Sequence, residues 1–414
     1  MTLTRSNPLH VKARTCLPHY FVWLFCVALL AWSHAAFAAR DMDVPELPTE
    51  GSEAWLVTFG PGDIYWERFG HNAIWLREPA AGLDHTFNFG YFDFDQENFF
   101  LRFMRGRMLY FSVAQPAARE FAFYQQADRS IRLQKIRLTP LQYQNLRDYL
   151  LTEIMPENRD YRYDYYLNNC STRIRDALDI ALDGALSART KVSPAELNFR
   201  DQTRRLTQMQ FWYYLGLELG LGLPVDRAVT RWDEMFVPMV VADEMAAMSS
   251  ASSFDGSPLV EVDQLLFQSA APTPAVAPAT IWFRYLLLGL LVVGIAWLSG
   301  RFMPPVWVVG LCHSWVLVSV TGGLVLAALW LLTDHEVTRP NANLLLLNPL
   351  FLLALWPALR RIGALIMLGG VVAGLVLLIL PVHQNNLDVI ALLAPVNLAV
   401  AVVYLKMARG ASKL

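Results

Sequence analysis

Polar and apolar positions alternate at short range from about residue 40 to 248, and from Ile281 onward the polar positions nearly vanish. Within the alternating part, Glu53 to Phe59, His71 to Arg77 and Thr86 to Phe92 read as strands, the last two strongly aromatic. Ile131 to Leu138 alternates as well, with Ile131, Leu133, Ile136 and Leu138 separated by Arg and Lys. Thr139-Pro140-Leu141-Gln142 opens a helix, with a capping residue and proline in the first turn. That helix runs to about Met155, where Pro156-Glu157-Asn158 ends it. Ser171 to Leu186 is amphipathic, with Ile174, Leu178 and Leu182 at helical spacing. Asn169 and Ser171 are good N-cap residues, so Cys170 is expected at or just before a helix N-terminus. Strands mixed with helices predict an α+β domain over 40–248.

Ser249 to Thr280, rich in Ser, Ala and Pro, reads as a linker. Residues 281–414 then read as an all-α membrane domain of about five transmembrane helices, at about 281–299, 306–332, 343–359, 362–381 and 387–405. The third is short and interrupted by Asn348-Pro349 and Pro357. At the other end, Arg5, Lys12 and Arg14 precede the apolar run Phe21 to Trp32 and the small-x-small triplet Ala36-Phe37-Ala38. Residues 1–39 are therefore a signal peptide or an N-terminal anchor, and the segment after them is exported. With that domain outside, Arg301, then Arg360 and Arg361, then Lys406, Arg409 and Lys413 fall inside, as positive-inside topology requires. The expected location is a bacterial inner membrane, multi-pass, with the N-terminal domain in the periplasm.

Composition agrees. The 414 residues are 55% hydrophobic, with mean hydropathy +0.31, too apolar for an ordinary soluble protein. Thirty-four basic against 36 acidic residues, net charge −2, give no basic excess for nucleic acid. No His-Glu-x-x-His or paired Cys-x-x-Cys occurs, so neither a metal nor another cofactor is expected.

Four cysteines narrow the chemistry. Cys16 and Cys26 lie in the export segment and Cys312 in an apolar span, which leaves Cys170 as the lone exported thiol. An unpaired thiol in an oxidising compartment is a liability unless it reacts. A helix N-terminus is expected to lower its pKa. His71, after Gly70 at a strand edge, is the leading candidate for general base, and His85 the second. Asn88 is the candidate to orient the imidazole. Against this stands the plainer reading, a buried small side chain in Cys170 and a structural strand histidine. Arg173 and Arg175 cannot share one helix face; one is a candidate for an anionic head group and the other for an ion pair. The run Phe87 to Phe111, with Arg102, Arg105 and Arg107 in it, reads as core with a basic edge or as a cation-rimmed face against a bilayer.

The elements Phe69-Gly70-His71-Asn72-Ala73, Asn88-Phe89-Gly90-Tyr91-Phe92-Asp93-Phe94, Asn168-Asn169-Cys170-Ser171-Thr172-Arg173-Ile174-Arg175-Asp176 and the loop Asp334-His335 to Asn343 resemble the Lnb family of lipoprotein intramolecular transacylases. The resemblance implies a permuted papain-like or NlpC-like thiol fold, with His71 as base and Cys170 as nucleophile. It implies a membrane lipid or bacterial lipoprotein as substrate. Asn169, Arg173, Tyr91 and His335 are the residues expected toward that substrate. The expected function is a membrane-anchored extracytoplasmic thiol acyltransferase working through a thioester. The rivals are an NlpC-type cell-wall peptidase or amidase and a non-catalytic envelope assembly protein.

Overall fold

The computed structural model describes residues 50–248 and 258–411. The export segment and the first part of the proposed linker lie outside the described residues. Seven strands form one antiparallel sheet in the order β6-β4-β3-β2-β1-β5-β7. They are β1 (Glu53–Phe59), β2 (His71–Glu78), β3 (Leu83–Tyr91), β4 (Leu109–Pro116), β5 (Ile131–Ile136), β6 (Asp160–Arg162) and β7 (Val260–Phe267). Alternation sends successive β1 side chains to opposite faces. Ala54 and Leu56 join the larger core, whereas Trp55, Val57 and Phe59 join a smaller one on the other face.

Helices α1 (Phe99–Arg105) and α2 (Ala117–Gln126) flank β4, and α2 presents Tyr124 to the smaller core. The larger core is closed by α3 (Pro140–Glu153) and α4 (Cys170–Ala181), whose Leu146, Leu150, Ile174 and Leu178 are buried there. The capping box read from Thr139 and Gln142 is formed, with the Gln142 amide 3.2 Å from Thr139 Oγ1. The amphipathic run from Ser171 breaks at Leu182, and α5 (Ala185–Thr190) continues it. Then follow α6 (Phe199–Thr207), α7 (Phe211–Gly220), α8 (Arg231–Glu234) and α9 (Pro238–Met248).

The stretch 249–280 is not a linker throughout. Val260–Phe267 pair with β5 as an edge strand, with Arg132 bridging to Asp263 at 2.7 Å. Its flanking Ser, Ala and Pro conceal an alternating Val-Glu-Val-Asp core.

Among the described residues, the membrane-like part holds four helices long and apolar enough to cross a bilayer, against about five expected. They are α10 (Trp282–Gly300), α11 (Pro305–Leu332), α12 (Arg360–Leu377) and α13 (Leu387–Ala411). The expected third helix is instead two 3-10 turns, Ala342–Leu345 and Pro349–Leu355. Asn341 and Asn348 cap these turns with their side chains, and Pro349 lacks the N–H that an α-helix needs. The segment still runs the length of the bundle. Leu346 and Leu347 pack with Leu326, Val371 and Ile390 at one level, while Phe351 and Ala354 pack with Cys312, Ala364 and Tyr404 at the other. At about 2 Å per residue, a 3-10 path of this length covers close to the ~30 Å of a hydrocarbon core.

Irregular backbone at that depth must be buried in protein. Gly323 of α11 and Gly370 of α12 let the carbonyls of Leu347 and Leu345 lie directly against the helices, where any Cβ would collide. Asn397 of α13 donates to the Leu346 carbonyl at 2.9 Å.

The bundle docks on the folded domain through one end. Asp334, in the loop after α11, accepts from Arg107 at 2.8 Å and Arg162 at 2.9 Å. Arg204 reaches the Asn385 carbonyl at 2.6 Å, and Gln384 donates to the Leu221 carbonyl at 3.0 Å. Beneath them Arg200, fully buried, pairs with Asp226 at 2.7 Å and Glu218 at 3.4 Å. Arg301, Arg360, Arg361 and Lys406 sit at or near the helix ends remote from this contact, the distribution the charge rule requires.

Candidate functional site

The site forms where β2 begins and β3 ends. Asn169 caps α4, its side chain accepting from the Thr172 amide at 2.9 Å, so Cys170 is the first helical residue. Ser171 binds the Met235 carbonyl at 2.8 Å and takes a 3.3 Å bond from Asn72, which fastens the helix start to β2. The β2–β3 ladder ends at Ala73 and Asn88. The next amide along, Asn72 N–H, and the N–H groups of Ser171 and Cys170 itself favour negative charge on the Cys170 sulfur.

Gly90 supplies the space. Its φ is +94°, a backbone conformation that favours glycine, and an added Cβ would stand 3.2 Å from Cys170 Cβ. The neighbouring register shift between β3 and β4 falls at the same place.

His71 precedes Asn72 at the start of β2, with its ring stacked on Phe59 at 6.0 Å. His71 Nε2 is 2.9 Å from Asn88 Oδ1. The Asn88 amide is oriented by its other end, since Nδ2 donates to Glu120 Oε2 at 3.1 Å and to the Thr86 carbonyl at 3.3 Å. Oδ1 is therefore the acceptor, Nε2 carries the proton, and Nδ1 keeps the lone pair of a base. The result is a relay: His71, Asn88, Glu120.

Burial sets the resting charges. It pushes the Cys170 thiol up to about 11, against the lowering effect of the surrounding N–H groups. The helix N-terminus thus does not make this sulfur a resting thiolate, contrary to the expectation from position alone. Burial lowers His71 to about 4 even though the bond from Asn88 supports its protonation. Burial also raises Glu120 to about 7, against the lowering bond from Asn88. The pair rests as neutral thiol and neutral imidazole, which suits proton transfer concerted with attack by sulfur. Both Cys170 and His71 remain partly exposed.

The other expected residues are placed as follows. Asn169 is committed to structure: its Nδ2 donates to the carbonyls of Tyr165 and Phe236 at 3.0 and 2.9 Å. Arg173 points away toward α3, paired with Glu153 at 3.3 Å and lying 4.3 Å over the Tyr161 ring. Arg175 lies on Trp232 and pairs with Asp176. Tyr91 follows Gly90 directly and lies tilted against Phe111, with ring centroids 6.2 Å apart. His85 pairs with Leu76, at the other end of β2 from His71. His335 donates through Nε2 to the Phe103 carbonyl at 3.1 Å and stacks on Tyr165 at 6.2 Å.

Tyrosines connect the thiol to that outer loop. Tyr110, Tyr163 and Cys170 all pack against the larger core. The two tyrosines stack on each other at 4.1 Å; Tyr163 meets Tyr165 at 6.0 Å, and Tyr165 meets His335. A second aromatic branch leaves Tyr110 through Phe92, 5.2 Å away, to Trp66, Phe94 and Phe99. Trp66 and Phe94 are exposed.

Glu120 is the residue that sequence reasoning missed. Ala117, Glu120 and Tyr124 are the buried residues of α2, so a carboxylate interrupts its inward stripe. That interruption was the available signal. No group of His, Cys, Asp and Glu capable of holding a metal occurs among the described residues.

An antiparallel sheet with flanking helices, docked on four apolar helices, defines an envelope protein with a folded domain carried on a multi-pass membrane part. Residues 48–209 match the family model of the Lnb N-terminal periplasmic domain, so the chain carries the periplasmic domain of the Lnb family. No curated protein and no solved structure matches the chain.

Proposed function

We propose that the protein is a membrane-anchored thiol acyltransferase working on the periplasmic face of the membrane through Cys170 and His71. One observation carries this reading: Tyr110 and Tyr163 pack against the same core as Cys170, and their ring contacts continue through Tyr165 to His335, in the loop where α11 leaves the bundle. A site at that height meets an ester in a lipid head-group region, while a soluble substrate would need no such approach.

In the reaction, Cys170 Sγ attacks the carbonyl carbon of a lipid ester, and its proton passes to His71 Nδ1. The N–H groups of Asn72, Cys170 and Ser171 face the negative charge that develops. Collapse breaks the ester C–O bond, and His71 returns the proton to the departing alkoxide. This leaves an acyl thioester on Cys170 and a free hydroxyl on the lipid. An amine then attacks the thioester and gives its proton to His71, which passes it to the departing sulfur. The products are an N-acyl amide and the free thiol. Asn88 holds the imidazole in the tautomer that both halves require.

A diacylglyceryl-cysteine lipopeptide with a free α-amine tests the reading. The purified chain in detergent should convert it to an isomer of unchanged mass whose amine is acylated, as read by fragmentation. Cleavage of a cell-wall stem peptide with no change in the lipopeptide would instead indicate a peptidase.

A further inference from the structure

Beside the thiol site, where the loop after α11 meets the folded domain, a groove of about 470 Å³ is lined by Asn98, Leu101, Arg102, Arg105, Arg107, Leu109 and Arg162. Four guanidinium groups and no carboxylate line it. The adjacent Asp334 serves both Arg107 and Arg162. Arg102 and Arg105 make no ion pair among the described residues, so the cations outnumber the nearby anion.

Position narrows the ligand. The Asp334 amide donates to the Arg105 carbonyl at 2.8 Å, which ties α1 to the loop where a membrane helix ends. On the same short helix Phe100 is 69% exposed, and Leu101, Phe103 and Met104 are also exposed. Exposed apolar side chains interleaved with arginines are the pattern of a segment lying in a lipid head-group region. Guanidinium groups bind phosphate through paired N–H donors.

We propose that this groove binds the phosphate of an anionic membrane phospholipid, held by Arg102 and Arg105 with Arg107 and Arg162 behind them. The lipid would fix the height and tilt of the folded domain over the bilayer. The inference needs only the membrane setting and not the thiol chemistry, so it is tested in a Cys170→Ser background.

Full-length Cys170→Ser protein in neutral detergent is titrated with phosphatidylglycerol and with phosphatidylcholine of the same acyl chains, and bound lipid is read by native mass spectrometry. Phosphatidylglycerol should be retained in preference, and less so as salt is added. Adding Arg102→Gln and Arg105→Gln should weaken its binding about thirtyfold, as expected for two lost head-group-level cations. Adding Arg77→Gln, at the far end of β2, should leave it unchanged, and all variants should keep the parent unfolding temperature. Equal retention of the two lipids, or an undiminished preference in the double substitution, overturns the proposal. Displacement of the lipid by millimolar inorganic phosphate would assign the groove to a soluble anion and likewise overturn it.

Discussion

Replacing Asn88 with alanine removes three bonds at once, the 2.9 Å contact to His71 Nε2, the 3.1 Å contact to Glu120 and the 3.3 Å bond to the Thr86 carbonyl. On His71, the loss frees the ring to rotate and to exchange tautomers, and a hydrogen bond of this kind is worth about 1 kcal/mol net. Together with misplacement of Nδ1, acylation of Cys170 should slow by about ten- to a hundredfold. On Glu120, Oε2 loses its Asn88 donor while Oε1 already lacks a partner, at a cost of about 1–3 kcal/mol in stability. The assay is single-turnover formation of acyl-Cys170 from a lipid ester, followed by intact mass, with thermal unfolding in detergent alongside. A rescue separates orientation from simple damage. Asn88→Asp alone sets two carboxylates against each other, but with Glu120→Gln the donor and acceptor merely exchange places along the relay. The double variant should recover most of the rate. Its acid limb should rise above about 4, because a carboxylate now favours protonated His71. Wild-type acylation by Asn88→Ala, or a double variant no faster than Asn88→Ala, would refute the relay.

Four further outcomes follow from the same geometry. With the thiol raised from the ordinary 9 to about 11, alkylation of Cys170 by iodoacetamide at pH 8 should run about a hundredfold slower than that of an exposed cysteine; a titration midpoint below pH 8 would contradict the neutral resting pair. Gly90→Ala strains a φ of +94° and puts a methyl 3.2 Å from Cys170 Cβ, so it should cost about 1–3 kcal/mol in thermal unfolding and suppress labelling and acylation of the thiol. The stability from Glu120, raised to about 7 from an ordinary 4.5, is fully present below 4.5 and lost as pH rises through 7; Glu120→Gln should therefore gain on wild type in unfolding temperature across that interval. Arg200→Met strands Asp226 in a buried site, while Glu218 keeps Arg204, and should destabilise the docked domain by about 3–5 kcal/mol, seen as early protease cleavage on heating.

The sequence made the central strands and the two long helices of the folded domain legible because their signals are local. Thr139 with Gln142, and Asn169 before Cys170, cap where their spacing says. The expected orienting contact of Asn88 on His71 is formed, with 2.9 Å between Asn88 Oδ1 and His71 Nε2. What escaped depends on distant partners. Edge strand β7 exists because β5 offers it a ladder, and its Ser- and Pro-rich flanks point elsewhere. The apolar segment 342–355 folds as 3-10 turns because glycines on α11 and α12 admit its backbone, which no pattern within it reveals. The thiol pKa was misjudged because a helix start is visible in sequence, while the burial that outweighs it is not.

The most direct test is intact-mass analysis of the purified protein after reaction with a lipid ester, comparing wild type, Cys170→Ser and His71→Ala. The account predicts a hydroxylamine-labile adduct of fatty-acyl mass on wild type, absent from Cys170→Ser and strongly slowed in His71→Ala. No adduct on wild type, with Cys170 inert to thiol reagents in the folded state, would contradict it and leave this domain a non-catalytic part of the envelope.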